Sequence, residues 1–229
     1  MPLVTLSRTF GSGGGAVGRA LAERLGAEYL DREVVARVAA RSGIPEAEAE
    51  GYDERLPSLW QRLAAVLATS SPEAVVAPIP GQLLAGPAMG ERLFAITRAV
   101  IEEAAATGNA VIVGRGGGWM LTGRPDLLRV QVHAPLEDRV RYLRARVEDA
   151  PGDTRPDASD RELLDLCRSV DRARAAYVRS HFDVDWMDLR HYDLVLDTGR
   201  LGLGRCVDLI ELAARDLPAR PAVEAAASA

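Results

Sequence analysis

The stretch "LSRTFGSGGGAVGRALAERLG", residues 6 to 26, constrains the fold of this chain more than any other. A short apolar run, "LVTL" (Leu3 to Leu6), leads into it, and Val17, Leu21 and Leu25 recur every four residues after it, beside Ala16 and Ala20. Strand, glycine loop and helix in that order make an ordinary phosphate cradle, because loop amides and a helix N-terminus both turn positive charge toward an anion. "GGGAVG" (13 to 18) also satisfies G-x-G-x-x-G, with Asp31 following where a ribose-binding acid would stand, so a dinucleotide site is a second reading. In that fold the glycines follow the strand at once, whereas "RTFGSG" lies here between Ser7 and Gly14. The second strand would also hold only about three residues, short for a strand. A phosphate loop from Arg8 to Gly13, with the helix starting near Gly14, fits better. A helix start at Gly18 would leave Val17 outside the apolar stripe.

In this register the G-x-x-x-x-G-K-[ST] pattern is altered. Arg8 stands at the first glycine, Gly14 at the lysine, and Gly15 and Ala16 where a magnesium-binding hydroxyl would lie. Glycine there keeps the backbone anion nest but removes the side-chain charge and the metal ligand. Gly11, Ser12, Gly13, Gly14 and Gly15 are therefore the nucleotide-binding candidates, and Arg8 the candidate source of the missing charge. A plain structural turn is the alternative. Arg19 falls inside the helix, four residues before Glu23, where an ion pair of about 0.3–0.5 kcal/mol is its simplest role.

Further strands are read at "EYL", "NAVIVG", "DLLRVQVHA" and "HYDLVLDTG". Helices are read at "ERLFAITRAVIEEAAATG", "PLEDRVRYLRARV", Arg161 to His181, and "LGRCVDLIELAARDL". Strands alternating with helices predict a parallel sheet covered on both faces, with ligands beyond the carboxyl ends of its strands. Four loops converge there: residues 7–14, Asp31, residues 114–118 and residues 197–199. Residues 42–90 are rich in Pro and Gly between helical fragments and are expected to form a flexible helical insertion; 217–229 are expected to be a disordered tail. The remainder, 1–216, reads as a single domain.

Composition narrows the function classes. A formal net charge of −5 with a pI near 5.4 argues against a nucleic-acid binder. All 28 basic residues are arginine. Cys167 and Cys206 lie far apart in expected helices, and His133, His181 and His191 have no ligand-like spacing, so inert thiols and no zinc are expected. With no apolar run of membrane-spanning length and no leader-like start, a cytoplasmic protein is expected. Oligomeric state is not legible.

"GSGGGAVGRALAERLGAEYLD", "VIVGRGGG", "SVDRARAAYV" and "YDLVLDTGRLGL" together resemble cytidylate kinase and, more closely, the cytidylate kinase-like proteins, over nearly the whole chain except 42–90 and the tail. The resemblance implies an α/β three-layer P-loop NTPase fold with a five-stranded parallel sheet, a helical insertion and a lid helix within 149–182. It implies nucleotide substrates and ATP as donor, with Mg2+ carried by the nucleotide. It implies Asp31 and Arg37 facing a monophosphate, Arg115 on its phosphate, and Asp171, Arg172 and Arg174 acting from the lid. Two positions depart from the family: Gly14 at the loop lysine, and Gly116 at the aspartate after the Gly-Arg pair, which bears on sugar recognition.

The residues themselves leave alternatives beside these roles. Arg174 lies on the apolar stripe of Leu163, Cys167, Val170, Tyr177 and Phe182, and a buried arginine needs an anion or a partner; Asp171 three residues earlier would serve as one. Arg168 and Arg172 form an i,i+4 couple that solvation alone explains. Arg115 follows a buried strand between glycines, where a bidentate guanidinium suits phosphate better than a helix cap. Asp31 could hold a ribose hydroxyl or simply cap the next helix. The expected function is transfer of the ATP γ-phosphate to a nucleoside monophosphate or similar small acceptor. The alternative is a nucleotide-sensing module without turnover, and a dinucleotide oxidoreductase ranks third.

Overall fold

The computed structural model describes residues 3–31, 87–145 and 158–217. Arg37, residues 149–157 of the expected lid region, the tail from residue 218 and the expected insertion up to residue 86 lie outside the described residues. In chain order the described elements are β1 (Leu3–Arg8), α1 (Gly14–Leu25), β2 (Glu28–Leu30), α2 (Pro87–Ala106), β3 (Ala110–Val113), α3 (Gly117–Met120) and β4 (Leu127–His133). They continue with α4 (Leu136–Ala145), α5 (Asp160–Phe182), a 3-10 turn (Leu189–His191), β5 (Leu194–Asp197), α6 (Thr198–Leu201) and α7 (Leu203–Arg215). Residues 87–90 form the first turn of α2, which opens on Pro87, a residue suited to that position. The four-residue helices α3 and α6 escaped the sequence reading because glycines and a turn-like "DTG" mask them.

All five strands are parallel, in the order β2-β3-β1-β4-β5. The chain leaves β1 to one side for β2 and β3, then crosses to the other for β4 and β5. The carboxyl end of β1 is thus the switch point, where such sheets open a crevice. β3, "AVIV", is buried throughout, as a central parallel strand covered on both faces must be.

Alternation along β1 sends Val4 and Leu6 to one face and Leu3 and Thr5 to the other. On the first face α1 and α7 bury Val17, Leu21, Cys206 and Ile210 against Val111, Val130 and Val132. On the second, α2 buries Val100 and Ile101 against Leu3, Leu30 and Ile112. A small third cluster, Phe10, Leu143 and Cys167, joins the loop after β1 to α4 and α5. Both cysteines are free and buried. Helix α5 starts with a full capping box, Ser159 with Glu162, within a residue of the expected start. No helix among the described residues is long and apolar enough to cross a membrane.

Candidate functional site

The loop between β1 and α1 is wound as the register predicts: α1 starts at Gly14, and Val17 is buried. Gly11 and Gly13 take φ of 79° and 74°, left-handed values that favour glycine. No side chain caps the helix, so its first amides face the crevice in the way that suits an anion. The loop floor is firm. Thr9 donates its N–H to the Val132 carbonyl at 3.0 Å, and Thr198 Oγ1 donates to the Ser12 carbonyl at 2.8 Å. The Ser12 hydroxyl turns inward to the Thr9 carbonyl at 2.9 Å, so Ser12 offers the crevice only backbone.

Arg8 occupies the space that Gly14 leaves. A Cβ built on Gly14 would lie 2.6 Å from Arg8 Cβ and 2.8 Å from its Cγ. The Arg8 side chain therefore crosses the helix start, where a lysine at position 14 would put its stem. Its guanidinium lies against the Cα of Gly114, and its Nη2 donates to Asp31 Oδ1 at 3.3 Å. The other Asp31 oxygen accepts from Tyr29 Oη at 3.3 Å, and that hydroxyl also lies 3.2 Å from the Gly15 carbonyl. Arg8 and Asp31 thus tie three of the four expected loops together, and Thr198 brings in the fourth.

The second glycine cluster is held differently. Gly114, Arg115 and Gly116 are all left-handed, with φ of 77°, 59° and 72°. A non-glycine residue there is strained, by about 1–3 kcal/mol. The Arg115 carbonyl accepts from Tyr177 Oη at 3.5 Å. Phe182 sits on Gly116, where a Cβ would lie 2.5 Å from its ring. Behind it are Trp119, whose ring centroid is 5.7 Å from that of Phe182, and His181, stacked on Phe94 at 4.2 Å.

From α5, Arg174 donates Nη1 to the Arg8 carbonyl at 2.8 Å, with its guanidinium 5.9 Å over the Phe10 ring. Burial first, and the Arg8 charge second, push the Arg115 and Arg174 guanidinium groups below the usual arginine range. Both stay protonated at neutral pH. The smaller, charge-borne part of those shifts comes from neighbouring arginines, which an anion would relieve.

The structure places three more of the residues named above. Asp171 lies 3.8 Å from Arg174, but its stronger bonds go elsewhere: Oδ2 accepts from Arg139 Nη2 at 2.6 Å, and Oδ1 from the Phe10 N–H at 2.8 Å. Arg172 is exposed on the side of α5 away from Arg174, and no bond joins it to the cluster among the described residues. Arg19 lies over the Tyr29 ring at 4.8 Å.

Arg139, 5% exposed, was missed by the sequence reading, as was Tyr29. The signal for Arg139 was present: it shares an apolar stripe with Leu136, Val140 and Leu143, the same pattern that singled out Arg174. No metal-ligand set of three His, Cys, Asp or Glu gathers among the described residues. Among the described residues, no side chains of this crevice fit a magnesium ion. Residues 15 and 16 carry no hydroxyl, and Asp31 is engaged by Arg8 and Tyr29.

The model of the cytidylate kinase-like family matches residues 3–200 of this chain. Cytidylate kinase of Methanosarcina mazei is 26% identical over 107 residues, 46% of this chain and 54% of that protein. Its Methanosarcina acetivorans counterpart is 26% identical over 105 residues, 45% of this chain and 53% of that protein. The chain spans about half the length of these curated relatives. Among solved structures, an uncharacterized protein from Eubacterium ventriosum superposes with a TM-score of 0.63 at 18% identity, covering 93% of this chain and 98% of that one. Shikimate kinase from Bacteroides thetaiotaomicron superposes with a TM-score of 0.50 at 16% identity, covering 92% and 97%. The fold is an α/β P-loop kinase fold, and the chain belongs to the cytidylate kinase-like family.

Proposed function

We propose that this protein transfers the γ-phosphate of ATP to a small acceptor of the nucleoside monophosphate class. The carrying observation is the gathering of Arg8, Arg115 and Arg174 around one uncapped helix N-terminus at the sheet's switch point. Phosphoryl transfer asks a protein for positioning and charge more than for covalent chemistry. The loop amides of Gly11 to Gly15 and the Arg8 guanidinium would bind the donor phosphates. Arg115, with Arg37, would bind the acceptor phosphate. Arg174 would neutralise charge as the bond from the γ-phosphorus to the bridging oxygen breaks and the bond to the acceptor oxygen forms. Magnesium would arrive on the nucleotide's phosphates.

The Methanosarcina relatives are named for cytidylate, and base preference here is a finer question. Phe182 fills the space beside Gly116, so a cytidine contact from position 116 has no room. A second reading, a nucleotide sensor without turnover, is favoured by the absence of both lysine and hydroxyl from the loop. Label transfer from γ-labelled ATP with magnesium to a panel of nucleoside monophosphates and nucleosides separates the two. Labelled product that disappears in Arg115→Ala and Arg174→Ala supports the enzyme; tight ATP binding with no product on any acceptor supports the sensor.

A further inference from the structure

Phe10, in the phosphate loop, commits both of its backbone polar groups to side chains of other elements. Its N–H donates to Asp171 Oδ1 at 2.8 Å, and its carbonyl accepts from Arg139 Nε at 2.6 Å. Arg139 Nη2 then donates to Asp171 Oδ2 at 2.6 Å and closes the ring. One turn along α5 from Asp171, Arg174 grips the Arg8 carbonyl at 2.8 Å. The Phe10 ring is buried below, against Leu143 and Cys167. Loop, α4 and α5 meet at this single residue.

Stability alone does not call for such an arrangement. An apolar pair would fasten α4 to α5 as well as a buried guanidinium and carboxylate do. What an apolar pair cannot do is fix the direction of a peptide group. Arg139 and Asp171 do this through a planar fork and a carboxylate, holding the Phe10 amide away from the crevice and so setting the turn that presents the following amides. The same carboxylate belongs to the helix that carries Arg174.

We infer that Arg139 is a positioning residue. Through Asp171 and Phe10 it locks the loop amides and Arg174 into one arrangement, so that phosphate binding by the loop and placement of the lid arginine are a single coupled event. This rests on the reading of the loop as a phosphate site.

The test is calorimetric titration of MgATP and of inorganic tripolyphosphate, a probe with no base or sugar. The proteins are wild type, Arg139→Met, Arg139→Lys, Asp171→Asn, Arg174→Ala and the Arg139→Met/Arg174→Ala double variant, each with its thermal midpoint. Arg139→Met is expected to weaken tripolyphosphate binding about tenfold or more, within the usual range for coupled contacts. Arg139→Lys, which keeps the charge but not the fork, is expected to lose nearly as much. The double variant is expected to bind little worse than the weaker single variant. A merely structural tie would not produce that non-additivity in affinity.

Folded Arg139→Met or Arg139→Lys with wild-type affinity overturns the inference, as do affinity losses that simply add. If the methionine variant does not fold, Arg139→Lys and Asp171→Asn carry the same comparison. Wild type that binds neither probe overturns the phosphate-site reading, and this inference with it.

Discussion

Two glycine clusters flank the crevice, and the absent side chains serve different ends in each. In the first, from Gly11 to Gly15, the crevice side stays open at Gly15, where a Cβ would meet nothing nearer than Asp31 Oδ2 at 3.8 Å. In the second, from Gly114 to Gly118, the protein fills the space itself, with Arg8 on Gly114 and Phe182 on Gly116. Leu143 packs on Gly11 and Leu203 on Gly13 as well, so the contrast rests on Gly15, the position left open at the helix start where we propose that phosphate binds. Gly14 links the two. It belongs to the first cluster, yet its side-chain space is taken by Arg8, which ends on the second. The helix start carries no cation and the strand end carries Arg8, and the two positions depend on each other sterically.

The largest expected effect is at Gly114. Gly114→Ala puts a Cβ at a left-handed φ of 77° and displaces the Arg8 guanidinium from Asp31, and denaturant unfolding should show a loss of about 1–3 kcal/mol. A stable Gly114→Ala variant would break the contrast between the clusters. Next is the exchange itself. Gly14→Lys alone should cost about 1–3 kcal/mol by overpacking against Arg8, and Arg8→Gly with Gly14→Lys should recover both stability and ATP affinity. If the double variant is no better than the single, the two positions are not exchange partners.

Gly15→Ala should raise stability and leave binding unchanged. Its Cβ has room, so stability should rise by about 0.4–1 kcal/mol, while ATP affinity holds because the position is one where an ordinary phosphate loop carries a Ser or Thr side chain. Unfolding and calorimetry on one preparation read both. The smallest effect concerns the aromatic packing behind the second cluster. Burial lowers the His181 pKa, so the neutral ring is the form that folding favours. The stability tied to it is fully present above about pH 6.5 and is lost as pH falls through the folded value. The thermal midpoint should drop slightly between pH 7 and pH 5, and His181→Phe should flatten that drop.

Much of this was legible in the sequence because it rests on short-range rules. The 3.6-residue stripe fixed the start of α1, and continuous apolar runs marked the buried strands. Strand–helix alternation was enough to bring Arg8, Asp31, Arg115 and Thr198 to one edge. What escaped depended on contacts between distant segments. Nothing local says that Arg8 lies over Gly14 and Gly114, or that Asp171 favours Arg139 over Arg174 three residues away. Arg139 was within reach of periodicity, but a lone charge on an apolar stripe does not name its partner. Arg172, beside Arg174 in sequence, shows the converse: two residues on are about 200° around a helix, enough to send one arginine to the loop and leave the other exposed.

The most direct test of the central claim, that arginines gathered from three elements replace the loop lysine, is calorimetric titration of MgATP into wild type, Arg8→Ala and Arg174→Ala, and of a nucleoside monophosphate into wild type and Arg115→Ala. Each substitution removes one charge-assisted contact and should weaken binding about tenfold or more, with the fold retained by circular dichroism. Wild-type affinity in all three folded variants, or no binding by the wild type, would contradict it.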